Sequence, residues 1–224
     1  MNLTASGQDY IKAIYFLQQR ESPVTNSRLA AHFTVSAPSI TEMVQKLHRL
    51  DFVEYHPREG VRLTRAGEEL ALELIRHHRL LELYLVEALG MPWDEVHAEA
   101  EVLEHVLSDA VEARIAAYLG DPQFDPHGAP IPARDGSLPH RVTQSLAILA
   151  HGVPAQVVEV DDGEPERLRY LAELGLVPQT AVVVIAQAPF DGPLTVHVGE
   201  SSAVRVVDAR LAGLIHVQCA TVLA

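Results

Sequence analysis

The sequence predicts an α+β protein made of a winged helix-turn-helix, a helical segment and a small β-barrel. Three observations lead there: short helical patterns broken by tight turns over residues 1–72, a long acidic helical stretch over residues 73–139, and β-branched runs punctuated by Gly, Pro and Asp over residues 140–224. These ranges are taken as three domains of the 224-residue chain, whose 48% hydrophobic content suffices for a core in each.

In the first range Tyr10, Ile14 and Leu17 share one stripe of a helix over residues 7–19, which Ser22 and Pro23 end. A short helix over residues 27–33, a turn at Thr34 and Val35, and a longer helix capped by Ser36 and running to about Leu50 make a helix-turn-helix, with Pro38 tolerated in the first turn. Residues 52–56 and 61–64 read as two strands of a hairpin wing.

In the second range a helix from Ala66 to about Gly90 carries Leu70, Leu74, Leu81 and Leu85 on one side. Asp94 is placed to cap a helix through Leu103, and the amphipathic pattern resumes from there to Leu119 before a linker over residues 121–140. In the third range five runs, at residues 157–160, 182–186, 194–198, 204–207 and 214–217, supply the barrel strands, with one helix over residues 166–174 ending at Gly175.

The net charge of −13 argues against a nucleic-acid binder until it is resolved along the chain. Residues 1–72 hold 8 basic and 8 acidic side chains, residues 73–139 hold 4 and 13, and residues 140–224 hold 5 and 9. The acidity therefore sits in the middle range, which also holds His77, His78, His97, His105 and His127, five of the 12 histidines. Carboxylates mixed with imidazoles are the usual donors to a divalent cation.

The single cysteine, Cys219, excludes a disulfide framework and a multi-cysteine zinc site, and is expected to be packed. No apolar run approaches the roughly 20 residues that cross a bilayer, and residues 1–6 lack signal-peptide character, so a cytoplasmic, membrane-free protein is expected. No Ser/His/Asp order, Gly-rich phosphate loop or nucleophilic cysteine supports an enzyme.

His97, Glu101, Glu104 and His105 are spaced by 4, 3 and 1 residues, which brings them near one face of a helix. His78 and Glu82 stand in the same i,i+4 relation, and Asp9 offers a carboxylate from the first helix. Oxygen and imidazole donors without sulphur suit manganese or ferrous iron better than copper(I). The same spacing also makes an ordinary solvated helix face, so the pattern alone leaves both readings open.

The segments DYIKAIYFL (9–17), SAPSITEMVQKLHRLDFVEY (36–55), LTRAGEELA (63–71), HHRLLELYL (77–85), VHAEAEVLEHVLSDAVEARI (96–115) and HGAPIP (127–132) resemble the iron- and manganese-dependent repressor family typified by the diphtheria toxin repressor and the manganese transport regulator. LAELGLVPQT (171–180) and the closing strands are similar to the SH3-like domain of its long members and of small ferrous-transport accessory proteins. The resemblance implies a helical dimerisation domain and an SH3-like barrel. It also implies a metal-dependent repressor that acts as a homodimer on palindromic double-stranded operator DNA and controls metal homeostasis genes.

By position, it places a principal metal site on Asp9, Glu101, Glu104 and His105 and an ancillary site on Glu82 and His97, with His78 at the border and joining the second. Iron-type members hold Met and Cys where this chain has Asp9 and Glu101, so Mn2+ is the expected cofactor, with Fe2+ as the alternative and other divalent ions able to substitute in vitro. Lys12 stands where manganese-type members usually have a bridging Glu, which argues against a binuclear centre of that type. Glu164 aligns with a ligand donated by the SH3-like domain, and Arg167 with a second polar ligand that is missing here. His77, His127, His140, His151, His197 and His216 are read as surface or structural.

In a winged helix, the residues at the start of the second helix of the motif face base edges: Ser36, Pro38, Ser39, Thr41 and Glu42. Arg28, Lys46, Arg49, Arg58 and Arg62 are the candidate phosphate contacts. The alternative is a winged-helix regulator that answers to a small organic effector and whose acidic cluster is only solvated surface.

Overall fold

Four side-chain caps set out the first half of the chain in the computed structural model, which describes residues 3–200 and 203–220. Thr4, Thr25, Ser36 and Thr64 each place a hydroxyl oxygen where it accepts from a backbone N–H of the first helical turn. They open α1 (Ala5–Gln18), α2 (Asn26–Phe33), α3 (Ala37–Arg49) and α4 (Arg65–Leu89). Between α2 and α3 the chain turns through Thr34, whose φ of 54° is left-handed. β1 (Val53–His56) and β2 (Gly60–Leu63) pair antiparallel as the wing. The first core gathers Ile11 and Ile14 of α1, Leu29 of α2, Ile40, Val44 and Leu47 of α3, and Val53 and Val61 of the wing.

α4 is the spine of the molecule. Its 25 residues extend about 37 Å at 1.5 Å per residue. Ala71 near its start lies in the first core, whereas Leu80 and Leu81 lie in a second core with Ala100, Ile115, Ala116 and Ile131. Gly90, at φ 67°, ends it.

One expectation for the segment after α4 needs correction. The next helix, α5 (Val96–Leu103), starts beyond Asp94 and has no side-chain cap; the Asp94 carboxylate instead accepts from Arg169 Nη1 at 2.9 Å. The helix does end at Leu103 and the helical pattern resumes toward Leu119, as expected: residues 104–108 leave the helix, and Ser108, extended at φ −89° and ψ 151°, begins α6 (Asp109–Tyr118). The apolar periodicity bridges this break because Ala100 of α5 and Ile115 of α6 face the same core.

Residues beyond the linker form β3 (Gln144–Ser145), β4 (Pro154–Val160), α7 (Pro165–Leu174), β5 (Ala181–Gln187), β6 (Leu194–Val198), β7 (Ala203–Val207), α8 (Ala209–Ala212) and β8 (Ile215–Cys219). The sheet order is β3-β8-β4-β5-β6-β7, with every pair antiparallel. Alternate residues, such as Leu194, Val196 and Val198, point into one core with Leu168 and Leu171 of α7. Among the described residues no ladder joins β7 back to β3, so the expected barrel is a sheet folded around its core rather than a closed cylinder. Cys219 is exposed and accepts from Gln144 Nε2 at 3.1 Å, contrary to the expected packed position, because β8 runs past the core after Val217.

The linker is held against the barrel. Val160 N–H donates to His127 O at 2.9 Å, Arg141 Nη1 donates to Val158 O at 2.7 Å, and the Arg141 guanidinium lies 3.4 Å from the centre of the Phe124 ring. Gly128 makes this approach feasible: its φ is 91°, and a Cβ there would sit 1.9 Å from Val158 O. Gly128→Ala is expected to lower stability by about 1–3 kcal/mol through this clash alone, read as a lower urea midpoint for the metal-free protein; an unchanged midpoint would show that the linker is free to lift from β4.

Candidate metal centre

Four segments deliver the candidate ligands. α4 presents His78 and Glu82 one turn apart, α5 presents His97 and Glu101 likewise, the turn leaving α5 presents Glu104 and His105, and α1 presents Asp9. Glu82 is fully buried, Glu104 is 1% exposed and His78 7%. Such burial is costly for carboxylates unless cations or donors surround them.

The side chains converge in three groups with ligand-type separations: Asp9, Glu104 and His105; His78, His97 and Glu101; and Glu82, His127 and Asp162. In the first, His105 Nε2 lies 2.9 Å from Asp9 Oδ1 and 3.9 Å from Glu104 Oε1, while His105 Nδ1 is held by Gln8 Oε1 at 2.7 Å. His78, of the second group, reaches both others, with Nδ1 2.5 Å from Glu104 Oε2 of the first and Nε2 3.0 Å from Glu82 Oε1 of the third. His97 Nδ1 lies 3.0 Å from the same Glu82 oxygen and 3.1 Å from His78 Nε2.

Lys12 occupies the place between two of the carboxylates. Its ammonium donates to Glu101 Oε1 at 2.7 Å and to Glu104 Oε1 at 2.6 Å. Burial works against the charged ammonium, but Glu104 and Glu101 outweigh it and raise the Lys12 pKa. Burial likewise disfavours the charged His78 imidazole, yet its bonds to Glu104 and Glu82 push its pKa up to about 9. Burial pushes the Glu82 carboxyl up, and the imidazoles of His127, His78 and His97 overcome this and hold it well below the usual range. Asp9 is raised, mainly by burial.

These residues fit a divalent cation. Donors bound at about 2.1 Å and at right angles stand about 3.0 Å apart, close to the spacing of His78 Nε2, Glu82 Oε1 and His97 Nδ1. Asp9 Oδ1 and Glu82 Oε2 are buried without any hydrogen-bond partner, as lone pairs reserved for a cation would be. All donors are nitrogen or oxygen, which suits manganese and ferrous iron.

The domains match known families in order. Residues 2–61 match the iron-dependent repressor N-terminal DNA-binding domain, residues 64–133 the iron-dependent repressor metal-binding and dimerisation domain, and residues 144–219 the FeoA domain. The iron-dependent repressor IdeR of Mycobacterium leprae is 31% identical over 195 residues, which span 82% of this chain and 85% of that protein. The chain belongs to the iron-dependent repressor family. A solved manganese-dependent transcriptional repressor in complex with manganese is 39% identical, with a TM-score of 0.87 over 96% of this chain and all of that one. The manganese regulator SloR is 31% identical, with a TM-score of 0.75 over 97% of this chain. This repressor is therefore a DNA-binding, metal-dependent regulator with a dimerisation domain and not an enzyme, and these relationships favour a metal over a small organic effector.

All seven helical-domain and α1 ligand candidates, Asp9, His78, Glu82, His97, Glu101, Glu104 and His105, fall in the three groups. Glu164 does not; it is exposed at the start of α7, and Asp162 of the same loop reaches inward instead. Arg167 pairs with Asp161. His127, read from sequence as surface or structural, is fully buried beside Glu82. The acidic pair Asp161-Asp162 after a strand was the available signal for the loop, and HGAPIP for the histidine.

On the DNA-binding domain of this repressor, Arg28, Ser36, Pro38, Ser39, Glu42, Arg49, Arg58 and Arg62 are exposed, and Thr41 and Lys46 are half-buried. Thr41 Oγ1 donates to Ala37 O and accepts from Asn26 Nδ2 at 3.2 Å, so it braces α3 against α2. Asn26, not singled out in the sequence, also donates to Tyr55 Oη at 3.2 Å and ties the helices to the wing.

Lys12→Met is expected to lower the stability of the metal-free protein by about 1–3 kcal/mol, because it strands buried carboxylates. It should tighten Mn2+ binding by about tenfold or more, at 1.4 kcal/mol per decade. Chelator-treated melts and calorimetric titration read both, and unchanged affinity would show that the ammonium does not compete.

Proposed function

We propose that this chain is a manganese-activated repressor that binds palindromic double-stranded operator DNA as a cytoplasmic homodimer and governs metal homeostasis genes. One observation carries the reading: Asp9, on α1 of the DNA-binding domain, meets Glu104 and His105 of the helical domain. The principal site is Asp9, Glu101, Glu104 and His105, and the ancillary site is Glu82 and His97 with His78 between the two. Asp9 and Glu101 supply hard oxygen, which favours manganese, with ferrous iron as the alternative.

A bound divalent cation supplies the positive charge that lets these carboxylates converge without repulsion. Asp9 then fixes the start of α1, and α1 packs through Ile11 and Ile14 on the core that also seats α3. Glu104 and His105 fix the other end of the link to the helical domain, so the two α3 helices of a dimer take one spacing. By linkage, the chain that holds DNA also holds its metal more tightly.

Ser36, Pro38, Ser39 and Glu42 stand exposed at the start of α3 to meet base edges in the major groove, while Thr41 supports them. Arg28, Lys46, Arg49, Arg58 and Arg62 take phosphates. The exposed Val102 of α5, Val106 of the following turn, and Val111 and Tyr118 of α6 form the apolar face expected between protomers. A two-fold dimer reads inverted half-sites, which is the reason for expecting a palindrome.

Glu104→Gln is expected to abolish Mn2+ stimulation of operator binding, which in the natural chain is about 5–150-fold for a coupling of ordinary size. Fluorescence anisotropy with and without Mn2+ measures it, and retained stimulation would sink the assignment. Val106→Glu should weaken dimerisation by about 2 kcal/mol or more, seen in sedimentation as monomer, with operator affinity falling alongside.

A further inference from the structure

His77, read from sequence as surface or structural, takes no part in the metal centre and is only 5% exposed. Its Nδ1 lies 3.4 Å from the backbone oxygen of Glu104. A carbonyl oxygen only accepts, so Nδ1 carries the ring proton, and the neutral imidazole is left with Nε2 as a bare acceptor. Nε2 has no hydrogen-bond partner among the described residues and is not sealed from solvent. It opens on a cavity of about 560 Å3 that His77 lines. The cavity lies between the first half of α4, the start of α6 and the turn at residues 133–136, and its size is that of a small-molecule pocket.

The charge of this cavity is one-sided. Five carboxylates line it, those of Glu69, Glu73, Asp109, Glu112 and Asp135, against the two guanidiniums of Arg76 and Arg134. Both guanidiniums are committed to Glu112, with Arg76 Nε 2.6 Å from Oε1 and Arg134 Nη2 2.9 Å from Oε2. Arg76 Nη1 also donates to Pro132 O at 2.9 Å, which holds the turn against α4. Glu73 and Asp109 have no ion-pair or hydrogen-bond partner among the described residues. Unpaired carboxylates around a bare imidazole acceptor call for a ligand that brings both positive charge and N–H donors.

A lone metal ion does not meet that demand, because the groups of ligand atoms that converge, among the described residues, all lie in the metal centre. Here the acceptors are spread out instead. Glu69, Glu73 and His77 follow one another along α4 at intervals of about 6 Å, four residues at 1.5 Å each. Leu72 adds an apolar side chain to the same wall. Charge interrupted by alkyl surface is the pattern of an aliphatic amine with several nitrogens. We propose that this cavity binds a polyamine, with ammonium groups held by Glu73 and Asp109, one N–H given to His77 Nε2, and an alkyl spacer lying on Leu72. The site does not depend on which ion the metal centre takes.

The test is equilibrium dialysis of the full chain against radiolabelled spermidine in excess Mn2+, which occupies the metal centre. Salt is kept at about 0.15 M, where screening over about 8 Å suppresses diffuse attraction to the net charge of −13. The natural sequence is compared with the double variant Glu73→Gln, Asp109→Asn and with Leu72→Lys, which puts the chain's own ammonium into the cavity. Glu73 and Asp109 are exposed and Leu72 is half-buried. The expected result is one spermidine per protomer in the natural chain, with affinity lower by about tenfold or more in each variant, the size of one or more lost bonds to a charged group. No saturable binding to the natural chain overturns the proposal. So does an affinity unchanged in both variants, which marks diffuse attraction to an acidic protein, or displacement of spermidine by Mg2+ at equal charge, which marks a site for any cation. Failure here leaves the metal-dependent reading standing, since none of the three altered residues is a metal ligand.

Discussion

Glu104 is the constraint on which the rest of the arrangement depends. Its carboxylate is almost wholly buried, at 1% exposure, and is reached by His78 of α4 through one oxygen and by Lys12 of α1 through the other. A carboxylate withdrawn from water to this degree must be matched by positive charge. The matching groups come from different helices, so the demand of one side chain couples the DNA-binding domain to the helical domain. Lys12 and the raised pKa of His78 show how the chain satisfies it with its own cations.

α4 makes that coupling mechanical. A single helix carries Ala71 into the first core and Leu80 and Leu81 into the second, while His78 and Glu82 lie on the same stretch as those leucines. Displacing the ligands therefore displaces core side chains, and close-packed cores resist small shifts. The sheet domain is joined to this spine by Asp94 with Arg169 and by the linker against β4. Of the acidic residues of 73–139, which make the whole chain look unsuited to DNA, Glu82, Glu101 and Glu104 lie in this inner cluster and many others lie at the surface of the helical domain, while the first domain balances 8 basic against 8 acidic side chains.

Local chemistry made much of this legible. Caps at Ser36 and Gly90, the apolar stripe of α4 and the i,i+4 pairs of His78 with Glu82 and His97 with Glu101 are all short-range features, and each survives in the structure. The helix end at Leu103 was legible too, and beyond it residues 104–108 leave the helix and present Glu104 and His105. The errors come from contacts distant in the sequence. Asp94 has the right chemistry for a cap, but its partner is 75 residues away.

The sequence by itself determined which elements form, which faces they bury and which donor types are available, because these follow from near neighbours along the chain. Only the tertiary structure decided which donors meet. It set Lys12 between Glu101 and Glu104, brought Asp162 rather than Glu164 inward, and turned a histidine that looked merely structural toward an unpartnered carboxylate oxygen. Those pairings join segments from separate domains, and their geometry is fixed by how α4, the linker and β4 pack, which no local pattern records.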